Sequence, residues 1–306
     1  MTKIGIIGTI NRDTIVYHDR EKFLGWGGIL YNLKILSDLA SADTEICPVC
    51  NIGQDCYPDI MRQLKKLPHL NLDYIKKVPE NNNHCFLTYS DAVNKTEILK
   101  GGVPLLKYDD IKPILDCDII LVNYISGHDI VLESLQEFSR EFKGQIYIDI
   151  HSYTLGKRKD GRRFLRKPRY WPEIVNCGDF IQLNRMELAV LVGEQMSFKI
   201  NNQLLLKHID SYYQQLKTSK INYQSKILIV TDGTNGCYIS NIRSREPAIK
   251  HLSLGRKPIS GDTTGCGDCF SAGFIAEWLK SFSHEKAAMA GNRAAVTRIK
   301  KDQKFF

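Results

Sequence analysis

The chain has 306 residues, 43% of them hydrophobic, which is enough to bury a sizeable core in one large α/β domain or two smaller ones. The 42 basic and 34 acidic residues leave a formal charge of +8, mildly basic and compatible with anionic small molecules or with nucleic acid. No apolar run reaches the ~20 residues that span a bilayer, and the apolar part of the N-terminus is too short for a signal peptide; both point away from a membrane or exported protein and towards the cytoplasm.

Nine cysteines, an odd number, are scattered through strand-like and helix-like stretches. In a reducing compartment they read as buried thiols. Cys47/Cys50 and Cys266/Cys269 share a Cys-x-x-Cys spacing and can be drawn as a four-thiolate zinc site. Against that, the first pair lies in a strand-like run and Cys266 lies in a Gly-rich loop.

Lys3 to Gly8 is a short apolar run ending in glycine, a buried first strand. Asn11 and Asp13 follow it. In doubly wound folds ligands collect beyond the carboxyl ends of strands, so these two side chains are candidates to bond hydroxyl groups. Thr14 to Phe23 reads as one exposed strand. Gly27-Gly28 opens an amphipathic segment through Leu33, Ile35, Leu36 and Leu39. The glycines let backbone approach a ligand, and Asn32 faces the same side one helical turn on. Glu45 to Ile52 is a further strand, closed by Asn51-Ile-Gly53-Gln-Asp55. Asp59 to Leu67 is a helix stopped by Pro68, and Asn81-Asn-Asn is a turn. Cys85 to Tyr89 and Lys95 to Leu99, joined by Asp91-Ala-Val-Asn94, read as a hairpin ending at Gly101-Gly102. With Thr14 to Phe23 it would form a small sheet beside the main domain.

Asp118 to Asn123, Gln145 to Asp149, Asp179 to Leu183 and Lys226 to Val230 are short apolar runs with helix-like stretches between most of them. That alternation predicts βαβ units and a parallel sheet. After the second run, eight basic residues crowd Lys157 to Arg169. Such runs are commonly solvated surface. Of the sharper readings, a phosphate-binding rim is preferred over a nucleic-acid patch, because the loop follows a strand and no base-stacking module is evident. Asn184 and Glu187 have the spacing of an N-cap and its capping-box partner. Thr231-Asp-Gly233-Thr-Asn-Gly236 is a turn between strands. His284 to Ile299 is a helix rich in alanine, suited to close packing.

Gly261 to Phe274 reads Gly-Asp-Thr-Thr-Gly-Cys-Gly-Asp-Cys-Phe-Ser-Ala-Gly-Phe. Gly265 and Gly267 leave amides open to close approach. From Phe270 the apolar residues recur at helical spacing. A Gly-rich turn opening a helix presents free N–H groups and a positive dipole end, a fit for phosphate. Asp268 falls in the first turn, where it stays ionised and can take a proton from a hydroxyl.

The stretch from Asp262 to Phe270 resembles the second signature of the ribokinase-like (PfkB) carbohydrate kinase family, with Cys266 where that family usually has alanine. The resemblance extends along the chain in family order: Asn11/Asp13, Gly27/Gly28/Asn32, Gly53/Asp55, Asn184/Glu187, Thr231/Gly233/Gly236, then Asp262 to Asp268. It implies one domain over 1–306, a three-layer α/β/α sandwich around a mainly parallel sheet, with a small β lid from about 13–25 and 82–102. It implies an ATP-dependent kinase for a hydroxyl of a sugar, nucleoside or sugar phosphate. Asp268 would be the general base and Gly265, Cys266 and Gly267 the anion hole. Asn11, Asp13, Gly27, Gly28 and Asn32 would bind the acceptor. Asn184, Glu187, Thr231, Gly233, Gly236 and Asn292 would serve the nucleotide. The cofactors implied are ATP and Mg2+, the latter reached by Glu187 through water, with a monovalent cation such as K+ as a further candidate and a homodimer through the lid as a candidate assembly. A kinase-fold binding protein without catalysis and a nucleic-acid binder are the rival readings.

Overall fold

A computed structural model of the chain describes residues 1–91, 95–194, 202–221, 226–241, 248–255 and 263–300. The expected turn residues Ala92 to Asn94 and the motif residues Gly261 and Asp262 lie outside them. From the amino end come β1 (Thr2–Ile7), the short strands β2 (Arg12–Val16) and β3 (Lys22–Trp26), helix α1 (Ile29–Leu39), β4 (Thr44–Gly53), α2 (Tyr57–Leu64), β5 (Ile75–Val78) and the pair β6 (His84–Tyr89) and β7 (Lys95–Lys100). A short helix α3 (Tyr108–Ile111) leads to β8 (Ile119–Asn123), α4 (Leu132–Glu141), β9 (Gln145–Asp149), the hairpin β10 (Leu155–Lys157) and β11 (Arg163–Leu165), α5 (Trp171–Cys177), β12 (Phe180–Asn184), α6 (Arg185–Val192) and α7 (Asn202–Thr218). Strands β13 (Ile227–Thr231), β14 (Cys237–Asn241) and β15 (Ala248–Leu252) precede the helices α8 (Cys266–Ser281) and α9 (His284–Lys300).

The main sheet runs β15-β14-β13-β12-β9-β8-β1-β4-β5. Its strands are parallel from β5 to β13, and β14 and β15 are antiparallel additions at one edge. The four apolar runs read from the sequence are β8, β9, β12 and β13. They are apolar over most of their length because both faces of the sheet are covered. Successive side chains alternate between the two cores: Ile119 and Leu121 of β8 pack with α1, α2, α8 and α9, while Ile120 and Val122 pack with α4 to α7. The fold is α/β, in three layers. The same alternation disposes of the zinc site. Cys47 and Cys50 stand three residues apart on β4, so their thiols enter opposite cores and cannot join one tetrahedral ion.

A second sheet of order β3-β2-β6-β7 stands beside the first, with its own small core of Ile15, Cys85, Leu87 and Leu99. Thr14 to Phe23 is two antiparallel strands rather than one. The chain reverses at Tyr17 to Glu21, where Tyr17 N–H meets Glu21 O at 2.9 Å and Arg20 takes a φ of 70°. The polar triplet His18-Asp19-Arg20 is the local reason.

The asparagine turn joins the two sheets. Asn82 and Asn83 are each 3% exposed. Asn82 Nδ2 donates to Ile10 O at 2.9 Å, its Oδ1 accepts from Gly53 N–H at 3.1 Å, and its own N–H donates to Asp55 Oδ1 at 2.8 Å. A side chain at Gly53 would strike Asn82 N at 2.2 Å. Gly53 and Asp55 therefore hold this junction.

Candidate active site

The parallel strands deliver their carboxyl ends to one edge, and the polar residues gather there. Beyond β1, Asn11 and Gly27 exchange backbone hydrogen bonds, at 3.4 and 2.9 Å. Asn11 and Asp13, each 6% exposed, line a cavity of about 480 Å³ between the two sheets. Gly27 is needed for space: a Cβ there would lie 2.0 Å from Asp13 Oδ2. Gly28 also lines the cavity and caps α1 with φ 67°, close enough to β1 that a Cβ would lie 2.2 Å from Thr9 O. Below them, Thr9 Oγ1 sits 2.9 Å from the buried Asp129 Oδ1 and 3.3 Å from Asn11 Oδ1.

Asn32 departs from expectation. It is wholly buried and does not face the cavity. Its Nδ2 donates to Asp268 O at 2.8 Å and to Ser271 Oγ at 2.9 Å, and its Oδ1 accepts from Asn123 Nδ2 at 3.1 Å. Asn123 Nδ2 in turn donates to Asp268 Oδ1 at 2.7 Å. One helical turn does bring Asn32 towards the site, but α8 covers it, so it braces Asp268 from behind.

Asp268 lies in the first turn of α8, 4% exposed, on the cavity wall. Burial raises its carboxyl above the usual aspartate range, while His151, the Asn123 hydrogen bond and Arg298 pull it back. Gly265, with φ 79°, caps the helix and lies flat on Tyr31: a Cβ there would meet the ring atoms at 2.7 to 2.9 Å. The Arg298 guanidinium stands 5.3 Å from the same ring's centre. Gly265, Cys266 and Gly267 all line the cavity, with Cys266 N–H bonded to Thr263 O at 3.1 Å.

Four residues of the site escaped the sequence reading: Asn123, Asp149, His151 and Gln182. Asn123, Asp149 and Gln182 stand in register across β8, β9 and β12, a polar row on an otherwise apolar sheet. Gln182 Nε2 donates to Asp149 Oδ2 at 2.6 Å and to Gly267 O at 3.1 Å, tying the strand ends to the loop of α8. Asp149 is 2% exposed; burial, then Glu187 and Asp268, push its carboxyl well up. His151 lines the cavity with a φ of 37°, a backbone that β-carbon-bearing residues rarely adopt, and its Nδ1 lies 2.8 Å from Ser152 Oγ. The available signal was that Asn123 and Asp149 each end an apolar run.

Asn184 and Glu187 form the capping box. Glu187 N–H donates to Asn184 Oδ1 at 2.9 Å, and Asn184 N–H to Glu187 Oε2 at 2.7 Å. Burial pushes the Glu187 carboxyl up to about 7, with Asp268 adding to it. Both residues face the same cavity.

A second cavity, about 200 Å³, adjoins the first and is mostly apolar, walled by Leu254, Phe270, Ala295, Val296 and Ile299. Thr231, Gly233, Thr263, Cys266 and Gly267 line both, so α8's loop is the shared wall. Gly236 (φ 96°) and Asn292 belong to the second cavity. Asn292 is 6% exposed, and its Nδ2 donates to Leu252 O at 3.2 Å. The turn between β13 and β14 is held by Asp232, paired with Arg185 of α6, which also donates to Asn202 Oδ1 at 2.9 Å.

The basic run does not reach the cavity. It lies on and just after the β10–β11 hairpin, which docks on β7 by Leu99 N–H to Gly161 O at 2.9 Å, and most of its cations are exposed. Arg163, its side chain 2% exposed, donates to Ser126 O at 2.7 Å and Ser152 O at 3.2 Å beside Glu97. Arg162 pairs with Asp160, Arg158 stacks on Phe164 and Lys167 donates to Gln215. None of the eight lines the cavity.

The profile of the pfkB family carbohydrate kinases matches residues 47–304. The chain belongs to this family. Kinases of the family are phosphotransferases acting on sugar-like substrates. An ATP-dependent 6-phosphofructokinase of Thermoanaerobacterium thermosaccharolyticum is 21% identical over 285 residues, 90% of this chain and 79% of its own length. A ribokinase from Thermotoga maritima superposes with a TM-score of 0.71 at 20% identity, covering 98% of this chain and 93% of its own. Arabidopsis thaliana ribokinase, solved with ribose and ATP, does so at 0.71 and 18%, with the same coverage. Likenesses at this level show the kinase fold. No described helix is long and apolar enough to cross a membrane.

Proposed function

We propose that this kinase transfers the γ-phosphoryl group of ATP to a hydroxyl of a small polyhydroxylated acceptor. The observation that carries the reading is Asp268 at the first turn of α8, lining the larger cavity next to Cys266 and Gly267, which both cavities share, and braced by Asn123 and Asn32. The acceptor occupies the larger cavity, oriented by Asn11 and Asp13 over the Gly28 backbone. The adenosine end takes the apolar cavity, with its phosphates along Thr231 to Gly236.

Asp268 accepts the hydroxyl proton as the acceptor oxygen bonds to phosphorus, and the bond from phosphorus to the leaving diphosphate breaks. The first-turn N–H groups of α8 and its dipole face the charge that develops on the transferred group. Asn32 and Asn123 fix the carboxylate, which limits the reorganisation needed at transfer.

The residues present fit a hydrated Mg2+. Glu187 and Asp268 raise the proton affinity of Asp149, and Asp268 raises that of Glu187, a repulsion that a nearby divalent cation would relieve. Among the described residues no three His, Cys, Asp or Glu side chains converge on one ion, in keeping with an ion held through water and phosphate oxygens. Bound there, Mg2+ supplies charge neutralisation on the phosphates.

Relatives named as different as a 6-phosphofructokinase and a ribokinase leave the acceptor unnamed by likeness. The test is ADP release from ATP and Mg2+ over a panel of sugars, polyols and nucleosides with their phosphate esters. Acceptor-dependent release with a phosphorylated product supports the reading. Tight acceptor binding with no transfer would hand the protein to the non-catalytic reading.

A further inference from the structure

The larger cavity is acidic. Asp13, Glu97, Asp149, Glu187 and Asp268 line it. Asp149, at the end of β9, and Glu187, in the first turn of α6, are the pair that a bound Mg2+ would balance on the kinase reading. Asp13 of β2, Glu97 of β7 and Asp268 remain around the acceptor. Among the described lining residues the cationic side chain is Lys95, exposed at the rim with Nζ 5.7 Å from the Tyr89 ring centre; no arginine lines the cavity. Of the guanidiniums behind its wall, Arg163 donates to two backbone carbonyls beside Glu97, and Arg298, 3% exposed, lies over the Tyr31 ring. The other wall of this end is apolar, from Leu87, Leu155 and Leu165.

A phosphate monoester brings about −1.5 to −2 charges at neutral pH and needs an arginine cluster or a helix N-terminus to receive it. The N-terminus of α8 is committed to the transferred group. A second phosphate at the acceptor end would face carboxylates and leucines. Neutral hydroxyls, by contrast, are what paired carboxylate and amide acceptors such as Asp13 and Asn11 hold. From this charge distribution, and resting on the kinase reading above, we infer that the acceptor is uncharged, a free polyol, sugar or nucleoside, and that its phosphorylated form is rejected. Phosphoryl transfer then creates the product's first phosphate, and the reaction that supplies the acceptor is one releasing an uncharged compound, such as glycoside or nucleoside cleavage or dephosphorylation.

The experiment compares kcat/KM for neutral acceptors and for their own phosphate monoesters, with ADP release and product phosphate both measured. The expected result is a neutral acceptor preferred over its monoester by at least ~100-fold, since like-charge juxtaposition is costly in a closed site. Glu97→Gln removes one charge and should narrow that ratio by about threefold or more. If Glu97→Gln disturbs folding, Lys95→Glu, an exposed change, should widen it instead. A monoester used as well as its neutral parent overturns the inference and leaves the kinase reading standing. Transfer to no member of either set overturns both. A ratio unmoved by a well-folded charge variant overturns the electrostatic cause.

Discussion

The two adjoining cavities are built differently. The larger, the acceptor side on the proposed reading, is made of side chains, many of them buried and locked together over long sequence distances: Asn32 to Asp268, Asn123 to Asp268, Gln182 to Asp149. The smaller, the nucleotide side on that reading, is made of glycine backbone at Gly233 and Gly236 and apolar side chains on α9. A surface of interlocked polar groups is selective, because a wrong substrate leaves a buried group unpaired. A smooth apolar slot selects mainly by thickness. The acceptor side should therefore be intolerant of conservative changes and the nucleotide side tolerant of them.

The largest expected effect is in the larger cavity, at Asp268. Asp268→Asn keeps the shape and the Asn123 contact but removes the base, so kcat should fall by ~10²–10⁴-fold with nucleotide affinity and melting temperature nearly unchanged. Because burial raises this carboxyl, wild-type kcat should decline on the acid side at a pH above the ordinary aspartate range, as the base becomes protonated. A stable Asp268→Asn enzyme with near-normal turnover removes Asp268 from the chemistry.

Asn32→Ala comes next. It takes one buried hydrogen-bond partner each from Asn123, Ser271 and the Asp268 carbonyl, which should cost about 1–3 kcal/mol in urea unfolding, and it should lower kcat without changing the KM for nucleotide. A change in acceptor KM alone, at wild-type stability, would mean that Asn32 touches substrate after all. On the other side, Val296→Trp narrows the apolar slot. It should raise the nucleotide KM by about tenfold, roughly 1.4 kcal/mol of lost binding, and leave acceptor KM alone. Equal effects on both substrates would erase the division between the cavities.

The smallest effect is a pH dependence of stability. Burial raises Glu187 from 4.5 to about 7, so the folded state binds this proton more tightly than the unfolded chain does. Its contribution is complete below about pH 4.5 and is lost as pH rises through about 7, and solvent at the partly exposed cap keeps it small. Glu187→Gln keeps the capping box and should flatten the unfolding free energy across that window. Parallel curves for the two proteins would place the titration elsewhere.

Period and composition carried most of the fold. β8, β9, β12 and β13 are legible because strands covered on both faces are mostly apolar, and α8 because Phe270, Phe274 and Trp278 recur at helical spacing. The motif residues were legible one at a time; what each does was less so. Asn32 reads as a ligand contact because nothing in its neighbourhood reveals that α8, 236 residues away, covers it. Asn123, Asp149 and Gln182 become a row only when β8, β9 and β12 lie side by side. The basic run reads as a phosphate site because charge is visible in sequence, whereas the direction in which the hairpin carries it, away from the cavity, and the partners of Arg163 (Ser126 O, Ser152 O and Glu97) are not. Thr14 to Phe23 was one strand by propensity and two by its polar turn.

The clasp between Asn32 and the first turn of α8 also bears on how the protein is made. Helix α1 is synthesised some 236 residues before the partner that covers it, and its Ile29, Leu30, Leu33 and Leu36 share a core with Phe270 and Phe274. During that interval the nascent chain carries an apolar helix face with no permanent cover, a state prone to association with other chains. Translation speed and chaperone supply should thus govern the yield of this enzyme more than its final stability does, and amino-terminal fragments lacking α8 should emerge insoluble.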